Sequence, residues 1–131
     1  MNAIKLRPTS TTPAVYLDLS KGIFKMYGRS SPENSLKFYE PVKNALASEI
    51  KTEKLDVRIK MEYFNTSSSK CIYDILKEIK TLKDSGINVD VRWYYDQYDE
   101  DMQEAGEDYS DLLDLPFELI EYLPKPKKRV A

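Results

Sequence analysis

Four consecutive hydroxyl residues, Thr66, Ser67, Ser68 and Ser69, stand between a strand ending in Tyr63 and Phe64 and an apolar helical pattern of Ile72, Ile75, Leu76, Ile79 and Leu82. Such a junction is a place for charge chemistry. The first N–H groups of a helix lack internal acceptors, and the helix dipole is positive at that end, so a negative group is stabilised there. A phosphate on Thr66 or on a neighbouring serine would be tolerated. Asn65, Thr66 or Ser67 would also serve as a plain N-cap. A cap needs one hydroxyl, however, and the segment offers four. Gly86 closes the pattern as a C-cap.

A second group able to do chemistry is the acidic run Asp99, Glu100, Asp101, Glu104, Glu107 and Asp108. Its oxygens are of the type that binds Mg2+ or Ca2+, and a small divalent-metal enzyme working through Asp99–Asp108 is the alternative reading. The glycine and closing glutamate of a calcium loop are misplaced. The expectation is therefore a solvated surface that meets a protein partner, with no metal, no cofactor and no catalysis. Asp99, Asp101 and Glu104 are its expected contacts, with Tyr94, Tyr95 and Tyr98 as aromatic anchors. One or two of these tyrosines would instead cover a sheet edge. Arg29, in Gly28-Arg29-Ser30-Ser31, is a further expected partner contact; the segment lacks the repeated glycines of a phosphate cradle. Cys71 falls in the first turn of the helix, where the dipole lowers a thiol pKa, although a small buried cysteine is the commoner case.

Composition removes other classes of function. There is no histidine, which excludes Ser-His-Asp and Cys-His nucleophiles and His-based metal sites. One cysteine excludes an internal disulfide and a Cys-only zinc site. The 131 residues, 41% hydrophobic and 32% charged, suit one domain over 1–131 that folds, with its core at about 12–123. No apolar run is long enough to span a bilayer, and the N-terminus lacks a signal-peptide core, so a cytoplasmic protein without membrane insertion is expected. The net charge of −2 is unevenly spread. Trp93 to Pro124 holds eleven of 22 acids and no base, so the 20 bases and 11 other acids leave about +9 elsewhere. The tail at 124–131 adds Lys125, Lys127, Lys128 and Arg129. No nucleic acid is expected, because the body shows no basic groove pattern with interleaved aromatics.

These residues need a scaffold. After a polar lead-in at Thr9–Pro13, alternation at Val15, Leu17 and Leu19 and a short run at Ile23–Tyr27 predict a hairpin. Ser31 with Pro32 and Glu33 predicts a helix start. Leu36, Tyr39, Val42, Leu46 and Ile50 give its apolar face, and Pro41 should kink or divide it. Leu55 to Tyr63 and Ile87 to Trp93 alternate strictly, giving strands with one dry and one wet face. Asp99–Leu113 predicts a short acidic helix interrupted near Gly106, and Phe117–Tyr122 a final strand or extended end. The order β-β-α-β-α-β-α, with a possible last β, implies an α/β fold. Its sheet is mixed and open, with four to five strands and helices mainly on one side. Crossovers such as Tyr63 to Ile87 should join parallel strands.

Three segments together resemble a known family: TPAVYLDLSKGIFKMYGRSSPENSLKFYEPV, EYFNTSSSKCIYDILKEI and VRWYYDQYDEDMQEAGEDYSDL. They are similar to the SiaC family of bacterial regulatory phosphoproteins, whose fold is like the STAS domains of anti-sigma-factor antagonists. The resemblance runs from about Thr12 to Leu113. It implies a partner-switching module phosphorylated on the threonine of the NTSS segment, which is Thr66 here. It implies a Ser/Thr kinase of the histidine-kinase-like ATPase type, a metal-dependent phosphatase, and a diguanylate cyclase bound and activated by the unphosphorylated form. The basic tail lies outside the shared pattern.

Overall fold

The computed structural model describes residues 3–48 and 52–123. Ile50 and the basic tail lie outside the described residues. The chain runs β1 (Ile4–Leu6), β2 (Ala14–Asp18), β3 (Ile23–Ser30), α1 (Ser35–Ala47), β4 (Lys54–Phe64), α2 (Thr66–Asp84), β5 (Asn88–Asp96), α3 (Glu100–Leu113) and β6 (Phe117–Tyr122). All six strands form one sheet in the order of the sequence. The first three pair antiparallel, and β3, β4, β5 and β6 pair parallel. The sheet thus has six strands where four to five were expected. The extra strand, β1, has only three residues and a partly exposed pattern, so it carries no alternation to read.

Period-two alternation sets the two sides of the sheet. Val15, Leu17, Phe24, Met26, Leu55, Val57, Ile59, Met61, Val91 and Trp93 all point to one side and are buried there. Tyr39, Val42 and Leu46 of α1 and Ile72, Ile75, Leu76 and Ile79 of α2 cover them, joined by Met102, Tyr109 and Leu113 of α3. The opposite side carries Lys25, Tyr27, Asp56, Arg58, Lys60, Arg92 and Tyr94 and is left uncovered by the helices of the described residues.

Three helix details depart from the sequence reading. First, α1 begins later than Ser31: Asn34 is the N-cap, its side chain accepting from the Lys37 N–H. Its buried face includes Ser35, while Leu36 is 68% exposed. Second, Pro41 does not divide α1. It faces solvent, so its ring and the carbonyl it leaves unpaired meet water, and the buried Tyr39 and Val42 on either side hold the helix in place. Third, α3 passes through Gly106 without a break. A Cβ at Gly106 would stand 2.5 Å from Trp93 Cδ1. The glycine is there because the helix lies directly on the indole, whose Nε1 donates to the Met102 carbonyl at 2.9 Å. Gly86 acts as expected. At φ +109 it lets its own N–H reach Lys83 O and that of Ile87 reach Leu82 O, the paired bonds of a Schellman cap.

Candidate functional site

The parallel strands β3 to β6 alternate with three helices, so every helix starts at the same edge of the sheet. The α2 start is built there from the chain itself. Asn65 leaves β4 in extended conformation and caps the helix, its Oδ1 accepting from the Ser68 N–H at 2.9 Å and from the Ser67 hydroxyl at 3.2 Å. The N–H of Asn65 donates to Ser30 O at the end of β3. The cap is therefore Asn65, and the four hydroxyls are left for other work.

The helical period separates those hydroxyls by direction. Ser68 is fully buried; Ser30 Oγ donates to it at 2.8 Å, and Ser35 Oγ lies 3.3 Å away. Ser30 also lies 2.6 Å from the Tyr39 hydroxyl. Ser69 faces α3, its Oγ 2.9 Å from the Tyr109 hydroxyl, which donates to Ser69 O at 2.8 Å. Ser67 is exposed but lies 2.8 Å from Ser35 Oγ at the start of α1. Thr66 is exposed at the first helical position, and its hydroxyl has no hydrogen-bond partner among the described residues. Ser68 and Ser69 thus tie the start of α2 to the start of α1 and to the later turns of α3, whereas Thr66 faces outward and takes no part.

Ser30, Ser35, Tyr39 and Tyr109 complete this network and were missed in the sequence. No spacing marks them, because they come from three different elements, β3, α1 and α3. Burial pushes the Tyr39 hydroxyl up to about 12, with the Ser30 contact pulling weakly the other way. Burial also raises Tyr109. Cys71, in the same first turns of α2, is buried, and its thiol is raised first by burial and then by the nearby Asp74 charge.

The other predicted partner contacts are dispersed. Tyr94 lies on the open side of the sheet, Tyr95 packs towards the core, and Tyr98 is 77% exposed on the turn before α3. Asp99 is the N-cap of α3, accepting from the Met102 N–H at 3.0 Å, while Asp101 and Glu104 are exposed on the helix. Arg29 stacks over the Tyr63 ring at 5.1 Å, just before the hydroxyl run. Among the described residues no group of three or more acids or cysteines converges as a metal site, so the metal-enzyme alternative finds no support. No helix of the described residues is long and apolar enough to cross a membrane.

The comparisons with known proteins meet this geometry. A family model described as SiaC family regulatory phosphoprotein matches residues 6–122. An uncharacterized protein of Pseudomonas aeruginosa (strain UCBPP-PA14) is 33% identical over 121 residues, covering 89% of this chain and 94% of that protein. The crystal structure of apo-SiaC from Pseudomonas aeruginosa superposes with a TM-score of 0.81 at 30% identity, covering 92% of this chain and 99% of that one. A crystal structure of the diguanylate cyclase SiaD in complex with its activator SiaC, from the same organism, matches with a TM-score of 0.82 at 29% identity over 91% of this chain and 99% of that one. The six-stranded sheet with its three helices is thus similar to the SiaC structures, and the chain is a member of the SiaC family of regulatory phosphoproteins.

Proposed function

We propose that this protein is a non-enzymatic switch whose state is set by phosphorylation of Thr66. In its bare form it binds and activates a diguanylate cyclase. A Ser/Thr kinase of the histidine-kinase-like ATPase type adds the phosphate, and a metal-dependent phosphatase removes it. The observation that carries the reading is the sorting of the hydroxyls. Of the four, only Thr66 is both exposed and without a hydrogen-bond partner among the described residues. The likeness to an activator that forms a complex with a diguanylate cyclase supports the choice of output.

The physical consequence follows from position. A phosphate adds about −1.5 to −2 charges. At the first turn of α2 that charge meets the positive end of the helix dipole, so the fold tolerates it. A partner docked over the same turn would face a bulky hydrated dianion. The bare state is then the bound state. The test is a calorimetric titration of wild-type, Thr66→Ala and Thr66→Asp proteins against a diguanylate cyclase from the same cells, with thermal melts as folding control. Thr66→Ala should bind as the bare protein does, and phosphorylation should weaken binding at least about tenfold, which is 1.4 kcal/mol. Intact-mass and fragment analysis of protein from its own cells should place one phosphate on Thr66. Equal affinity of bare and phosphorylated protein would refute the switch.

A further inference from the structure

The open side of the sheet is arranged in rows that cross the strands. One row, fixed by the register, runs Lys5, Tyr16, Lys25, Arg58, Arg92 and Glu118. The next runs Ala14, Tyr27, Lys60, Tyr94 and Ile120. Two residues along a strand separate these rows by about 7 Å. Basic and aromatic side chains therefore interleave here, although no segment of the sequence shows that pattern.

Two adjoining cavities open on these rows, of about 680 Å³ and 480 Å³, sharing Ala14 and Tyr27. Each lies within the size range of small-molecule sites. Lys5, Arg7, Lys25, Arg29 and Lys60 line them, and Glu62 is the sole carboxylate in the lining among the described residues. Arg58 also reaches the larger cavity but is held by Asp56 at 3.1 Å. None of the other five cations forms an ion pair among the described residues. In a chain of net charge −2, this is a local concentration of unneutralised positive charge. The end wall is built in advance. Thr9 and Thr12 hydroxyls lie 2.6 Å apart, and the Ser31 N–H donates to Thr11 O at 2.8 Å, fixing the β1–β2 connection beside the cavity.

Two chemistries meet in this space. Tyr27 is 36% exposed and, with Tyr94, flanks Lys60 in one row, offering flat ring surface. Aromatic rings of this kind stack nucleobases without regard to sequence. The surrounding ammonium and guanidinium groups suit phosphate oxygens. Inorganic phosphate would use the cations and leave the rings idle, and a neutral aromatic would do the reverse. We infer that the open face of the sheet binds a nucleoside di- or triphosphate, its base against Tyr27 and Tyr94 and its phosphates over Lys25 and Lys60, with Lys5, Arg7 and Arg29 strengthening the field. This site is independent of Thr66, whose helix starts on the packed side of the sheet.

The test titrates the full chain calorimetrically with ADP and GDP, and with pyrophosphate and adenosine as the base-free and charge-free probes. At least one of the two nucleotides should bind at least about tenfold more tightly than either probe, and its affinity should fall as salt is raised. The Lys25→Ala/Lys60→Ala and Tyr27→Leu proteins, checked for folding by their amide spectra, should each lose about tenfold, within what one base–aromatic stack supplies. On the wild-type protein, nucleotide-induced amide shifts should gather on β2, β3 and β4 and spare the first turn of α2. Thr66→Ala should bind the nucleotide as wild type does, which separates this site from the switch. Absence of binding by both nucleotides, pyrophosphate or adenosine binding as tightly as the nucleotide, affinity that survives both variants, or shifts centred on α2 would each overturn the inference.

Discussion

The two sides of the same sheet are built by the same strands and do opposite things. On the packed side, each polar side chain that enters the core among the described residues is bonded: Ser30, Ser68, Tyr39, Tyr109 and the Trp93 indole all have partners at 2.6–2.9 Å. On the open side Lys25, Lys60 and Arg29 have no ion-pair partner among the described residues, and Tyr27 is partly bare. A buried polar group left unpaired costs about 1–3 kcal/mol, whereas an exposed one costs almost nothing. The packed side is therefore constrained by stability, and the open side and the outward Thr66 are available for binding. Changes on the two sides should separate accordingly.

The largest effect is expected at Gly106. In an ordinary helix Gly→Ala stabilises by about 1 kcal/mol. Here the new Cβ would meet Trp93 at 2.5 Å, so Gly106→Ala should destabilise by about 2 kcal/mol through overpacking and loss of the Trp93–Met102 bond. Urea denaturation reads this directly. A gain in stability would mean that α3 is not seated on the indole.

Next comes the hydroxyl network. Ser68→Ala should cost about 1–2 kcal/mol, because Ser30 loses its buried acceptor and Ser35 a neighbour. Thr66→Ala, two residues earlier, should change stability by no more than about 0.5 kcal/mol. Equal costs at both positions would erase the distinction between inward and outward hydroxyls on which the switch reading rests.

A pH dependence sharpens the same contrast. Tyr39 is raised from 10.0 to about 12 by burial, so the folded protein holds that proton more firmly than the unfolded chain. The unfolded state binds fewer protons between those values, and stability falls as pH rises through them. Below pH 10 the contribution is fully present. Tyr39→Phe should lose the Ser30 contact at neutral pH yet show a shallower decline between pH 10 and 12. Melting curves across that range check it. The smallest effect is expected on the open side: Lys60→Ala removes a cation stacked over Tyr122 at 4.3 Å and should shift stability by no more than about 0.5 kcal/mol.

Much of this protein was written in its local patterns. Strict alternation in β4 and β5 gave both strands and the side each residue faces, because side-chain direction reverses at every step. The Ile72–Leu82 period and Gly86 located α2 and its end, and the polar run from Asn65 located its start. Absence of histidine and of cysteine pairs removed whole classes of chemistry without any structure. Tertiary structure alone decided the rest. It admitted β1, whose three residues are too few for a pattern. It kept α1 whole across Pro41 and α3 whole across Gly106, because packing on Tyr39, Val42 and Trp93 outweighs local propensity. It sorted Thr66 from Ser67, Ser68 and Ser69, since Ser30, Ser35 and Tyr109, distant in sequence, occupy the other three hydroxyls. It also assembled the rows of tyrosine and lysine on the open face. Those rows run across strands, perpendicular to the chain, and a pattern perpendicular to the chain exists only once the strands have paired.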